Sequence, residues 1–137
     1  MNILQCHSKG DKRFSALYAK VTIDRKTKTI EEFYQDCKRD KDGNKVTKGK
    51  KVSYMEFRNI KLPSYFLSQF YDLLWIQYFV QNKELYIYAK QFDDYKDIFK
   101  GHSINNQENT IRRICKLGIK KVKEDCKELL NILNNNA

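Results

Sequence analysis

Glu31, Gln35 and Lys38 fall at positions i, i+4 and i+7, so on a helix they form one stripe of carboxylate, carboxamide and ammonium. The stretch that carries them is Thr29-Ile30-Glu31-Glu32-Phe33-Tyr34-Gln35-Asp36-Cys37-Lys38. Thr29 followed three positions on by Glu32 has the form of a capping box, which satisfies two backbone donors at a helix start. Ile30, Phe33, Tyr34 and Cys37 then make an apolar face, while Glu32, Asp36 and Arg39 point to water. With Glu32 engaged in the cap, Glu31 is left without a structural task. A free carboxylate of this kind suits proton transfer or the stabilisation of a developing positive charge. The plain alternative is that Glu31 gains only from the helix dipole, with Gln35 and Lys38 as surface partners.

The elements that must position this stripe sit in a chain of 137 residues, the length of one domain with a core of ordinary size. A hydrophobic content of 41%, with 13% aromatic, excludes a disordered chain. No run is long and apolar enough to span a membrane, and Met-Asn-Ile-Leu-Gln lacks a signal-peptide layout, so a cytoplasmic location is expected. Cys6, Cys37, Cys115 and Cys126 show no metal-ligand spacing. Free thiols in a reducing compartment are expected, with neither metal nor cofactor. The formal charge is +10, and the first sixty residues hold fifteen Lys/Arg against eight Asp/Glu. Such a balance suits an anionic partner, although compositional drift in a Lys-rich chain produces the same number.

The pattern reads as an α+β fold: a mostly helical single domain with a small N-terminal sheet or hairpin. Residues 2–6 and Phe14–Ile23 are read as N-terminal strands within 2–23, and Asp24–Lys28 as a polar turn. The motif helix spans 29–39. Residues 38–51, with seven basic side chains, read as a loop and a candidate flap over phosphate groups. A brief extended piece follows between Val52 and Ile60. The remainder, 64–133, is helical. Tyr65–Gln81 is the central core helix, Asn82–Phe92 a second helix, and one long last helix starts near Gln107. The aromatic residues of 65–81 follow the helical period, so core packing is preferred to base stacking.

Three separated pieces together resemble the NADAR domain, the NAD- and ADP-ribose-associated family of YbiA-like bacterial proteins. Phe14-Ser15-Ala16-Leu17 stands where the family has a Phe-Ser-Asn-Phe type segment. The stretch from Thr29 to Lys38 follows a Ser/Thr-x-Glu-His-Tyr-Phe-Gln-Ala-x-Lys pattern, and Glu31, Gln35 and Lys38 fall on its Glu, Gln and Lys. Tyr95-Lys96-Asp97, then Asn105/Asn106 and a final helix, match more loosely an aromatic-Gly-Asp segment, a Gly-Asn pair and a helix. This chain departs from the family pattern at Ala16, at Glu32, and at Gly101–Ile104 before the last helix.

The resemblance implies hydrolysis of an N-glycosidic bond on an ADP-ribose-like nucleotide or a ribosylated, modified nucleic-acid base. Cleaving a C1′–N bond builds oxocarbenium character on the ribose. Glu31 would stabilise it and activate water, and Lys38 would keep that carboxylate ionised. Gln35 would hold the ribose hydroxyls or the carboxylate. Arg13, with Lys12 and the basic loop, would take phosphate oxygens, and Phe14 and Ser15 would form the segment contacting phosphate or ribose. Asp97 and Asn106 would approach from the C-terminal side. Asp97 has the alternative of a cap or lysine partner, and His102 that of an ordinary loop residue. Two other functions stay open: a non-catalytic protein that sequesters an ADP-ribose derivative, and a small basic nucleic-acid-binding protein.

Overall fold

The computed structural model describes residues 1–47, 49–99 and 106–135. Its organising element is α2 (Leu67–Gln81), which is apolar on nearly every side and buries Phe70, Tyr71, Leu74, Trp75, Ile76, Tyr78 and Phe79. A helix hydrophobic all round has to be enclosed. It is enclosed by α1 (Ile30–Asp36), α3 (Lys83–Ala89), α4 (Gln107–Leu117) and α5 (Ile119–Asp125), together with strand β2 (Lys20–Ile23). Asp72, a charged residue of α2, is buried and accepts from Arg113 Nη2 at 2.6 Å and Thr110 Oγ1 at 3.2 Å, both on α4. Buried carboxylates persist only when paired in this way.

The fold is α+β, and its strands form three small sheets among the described residues. β1 (Ile3–Gln5) pairs in parallel with β7 (Asp94–Lys96), placing Leu4 opposite Tyr95. The sequence reading has no strand at β7, because a run of carboxylates masks the buried Tyr95, whose hydroxyl donates to the Ala89 carbonyl at 2.6 Å. β2 and β3 (Lys26–Thr29) form a hairpin, and β4 (Lys38–Arg39), β5 (Tyr54–Phe57) and β6 (Ile60–Pro63) form an antiparallel sheet.

Several expected boundaries change. Phe14 belongs to a 3-10 turn, Lys12–Phe14, and the strand expected from Phe14 begins only at Lys20, after a turn that buries Ala16 and Ala19. The expected polar turn 24–28 shrinks to Asp24-Arg25, because Lys26–Thr29 pairs with β2. The motif helix ends at Asp36, and Lys38 and Arg39 pair with β5 instead. The last helix is three: α4, α5 and α6 (Lys127–Asn135). One apolar period runs through all of them, so the breaks are hidden from a pattern reading. Among the described residues no helix is long and apolar enough to cross a membrane.

Gly118 ends α4 with φ 95° and ψ 152°, a region open almost only to glycine. A methyl added there meets nothing within 4 Å, so any penalty is purely conformational. Gly118→Ala is expected to lower stability by about 1–3 kcal/mol in chemical denaturation. A variant as stable as the parent would show that the break between α4 and α5 tolerates another backbone geometry.

Candidate active site

The start of α1 is held from three directions. Ile30 N–H donates to the Ala19 carbonyl at 2.9 Å and Glu31 N–H to the Ala16 carbonyl at 3.0 Å. The capping box is present in both halves: Glu32 N–H donates to Thr29 Oγ1 at 3.1 Å, and Thr29 N–H to Glu32 Oε1 at 3.0 Å. The Thr29 backbone N–H is the main reason the Glu32 carboxyl is held below its ordinary range. The first turn of a helix leaves donors unpaired, and here the turn that holds Ala16 and Ala19, together with the cap, takes them. Glu31 is thereby fixed by its backbone while its side chain stays out of the cap. Its Oε1 accepts from Gln35 Nε2 at 2.8 Å.

Lys38 reaches the same neighbourhood by another route. It is a strand residue, and successive strand side chains point to opposite faces. Lys38 Nζ lies 4.1 Å from the centroid of the Tyr34 ring, whereas Arg39 turns the other way and donates to the Asp36 carbonyl at 2.6 Å. Burial lowers the Lys38 pKa and the Glu31 carboxylate works against that shift. A buried ammonium beside a carboxylate shows these two opposing influences.

Asp97 is buried, 6% exposed. Its Oδ2 accepts from Gln107 Nε2 at 3.0 Å, and Gln107 Oε1 accepts from Ala16 N–H at 2.6 Å. The Ala16 peptide therefore ties Glu31 on one side to Asp97 on the other. Both carboxylates also act on Tyr71, whose phenol is pushed up first by burial and further by Glu31 and Asp97. Tyr71 packs edge-on against Tyr34 with centroids 4.9 Å apart. Glu31, Gln35, Lys38 and Asp97 thus gather around Tyr34 and Tyr71.

The other expected residues are placed differently. Ser15 is buried beside Ala16, and its hydroxyl has no hydrogen-bond partner among the described residues. Phe14 is wholly enclosed, against Phe79 and Tyr88. Arg13 is exposed, and its guanidinium is held by Asp11 at 2.9 and 2.7 Å and lies over the Tyr88 ring. Asn106 caps α4 by accepting from Asn109 N–H at 2.8 Å. His102, with the rest of residues 101–105, lies outside the described residues. Sequence reading passes over Gln107, whose amide joins the Ala16 N–H to Asp97. Nothing in a lone Gln at a helix start signals that its amide bridges two distant segments.

All four cysteines are free and buried, and burial pushes the Cys37 and Cys126 thiols up to about 12. Among the described residues no cluster of His, Cys, Asp and Glu could hold a metal ion. Two clefts lie elsewhere on the protein. One is lined by the far side of α1, the other by α2, α5 and α6; neither is lined by Glu31, Gln35 or Lys38. Lys45 of the basic loop lines the first, so that loop residue faces a cleft other than the carboxylate site. No protein-family profile matches this chain, and no curated protein does.

Removing the Glu31 charge takes away the main attraction that offsets burial of Lys38. In Glu31→Gln, Lys38 is expected to titrate at lower pH than in the parent, followed by NMR of its Nζ and Cε. An unchanged or raised titration would show that Glu31 does not hold the ammonium charged.

Proposed function

We propose that this protein is an N-glycosidase of an ADP-ribose-like nucleotide or a ribosylated nucleobase, with Glu31 as its catalytic carboxylate. The observation that carries the reading is the gathering of Glu31, Gln35, Lys38 and Asp97 from three separate segments. The hydrogen bond from Gln35 at 2.8 Å fixes the orientation of the Glu31 carboxylate. The Lys38 ammonium lies within electrostatic range of that carboxylate. An ionised carboxylate beside C1′ stabilises the oxocarbenium-like transition state. In the step itself the C1′–N bond breaks and the base departs with the bonding pair. Water oxygen bonds to C1′, and the water proton passes to Glu31. Asp97, tied through Gln107 and Ala16, is the second carboxylate of the site.

Release of nicotinamide from NAD, and of guanosine from ADP-ribosylated guanosine, tests this reading. Glu31→Gln keeps the shape and the partner Gln35, and it is expected to lose about 10²–10⁴-fold in kcat, the usual worth of a positioned acid–base group. ADP-ribose binding and melting temperature should change little. Turnover at the parental rate in that variant would remove Glu31 from the chemistry. Tight ADP-ribose binding by the parent with no base released would leave a sequestering protein instead.

A further inference from the structure

The two hairpins meet at their tips, on the side of α1 away from Glu31. Each tip is a two-residue turn in the left-handed region: Asp24 (φ 53°) and Arg25 (φ 67°) in one, Arg58 (φ 54°) and Asn59 (φ 63°) in the other. Turns of this twist favour Asn, Asp and Gly, and arginine there is strained. Strain of this kind is a reason to look for function. Arg58 Nε and Nη2 donate to the two Asp24 oxygens at 2.8 and 3.0 Å, which locks the tips together.

Between the tips and α1 lies a cleft of about 330 Å³, lined by the cations Lys26, Lys28, Arg39, Lys45 and Arg58. Three carboxylates line it as well, so two positive charges remain in surplus. Asp36 is shared by Lys28 at 3.0 Å and Lys45 at 3.7 Å, and Glu56 stands 3.8 Å from Arg39. Lys26 forms no ion pair among the described residues. Like charges facing one concave, partly apolar space focus the field outward and draw anions. Aromatic faces accompany the cations: Phe33 and Phe57 line the same cleft, with Lys28 and Arg58 over their rings at 5.4 and 5.1 Å.

We propose that this cleft binds a nucleoside phosphate, its phosphate groups on Lys26, Lys28 and Lys45 and its base against Phe57. The volume is in the range of small-ligand sites. An arriving phosphate offsets the repulsion that the shared Asp36 leaves between Lys28 and Lys45. The site stands apart from Glu31 and does not rest on the glycosidase reading.

Titration calorimetry with ADP, and anisotropy with a fluorescein-labelled single-stranded dodecamer, test it at low salt. The parent is expected to bind, and Lys28→Gln/Lys45→Gln to lose roughly tenfold or more, since each phosphate contact is charge-assisted. Lys26→Gln breaks no ion pair among the described residues, and it should weaken binding several-fold at unchanged melting temperature. Glu31→Gln should bind as the parent does. Dodecamer binding that ADP fails to displace identifies a polymer as the natural ligand, and ADP binding without dodecamer binding identifies a free nucleotide. No binding of either probe by the parent, or parental affinity in both lysine variants, would overturn the proposal. Loss of binding in Glu31→Gln would overturn the separation of the two sites.

Discussion

The whole arrangement depends on enclosing α2. A helix with Trp75, Leu74 and Phe79 almost wholly removed from water cannot present one face to solvent. Every neighbouring element is therefore drawn to it, and two of them bring residues of the candidate site along. Helix α1 arrives with Glu31 and Gln35, and α4 arrives with Gln107 just after its cap. Tyr71, on α2 itself, lies within electrostatic range of both carboxylates. The polar group α2 buries, Asp72, is matched by Arg113 and Thr110, so the same contact fixes the register of α4.

A second constraint is the Ala16 peptide. Its carbonyl takes the Glu31 N–H and its N–H goes to Gln107, so the backbone of one residue links the Glu31 backbone to the Asp97 side chain. Buried backbone groups must find partners, and here the need is met by α1, which carries Glu31, and by Gln107 of α4, which holds Asp97. Precision at the site follows from backbone hydrogen bonding more than from side-chain packing. Asp97 is held further by Phe99 N–H on Oδ1 at 2.8 Å, and its own N–H donates to Glu108.

Charge is sorted by strand geometry. Lys38 and Arg39 are adjacent in sequence, yet β4 sends one toward Glu31 and the other toward Asp36 and Glu56. The positive excess is thereby divided between a carboxylate site with one half-buried ammonium and a cleft with a cationic surplus on the other side of α1. A continuous helix through residue 39 would have put both on one turn, and the two environments would not be separate.

Local chemistry was readable from the residues alone. The Thr29–Glu32 cap and the Glu31–Gln35 pair each lie within about one helical turn, where backbone geometry leaves little choice. The apolar face of Ile30, Phe33, Tyr34 and Cys37 is buried as the period requires. The α+β class and the central helix were legible for the same reason. Distant pairing decided the rest. β7 exists because Tyr95 sits opposite Leu4, ninety-one residues away in the chain, and loop-closure cost gives no local sign of such a match. Lys38 stands near Glu31 because β5 pairs with β4, the helical spacing having pointed to the right neighbour for a different reason. Short-range order follows from residue type and spacing. Which segments share a site is settled by the burial of α2, an effect summed over the whole chain.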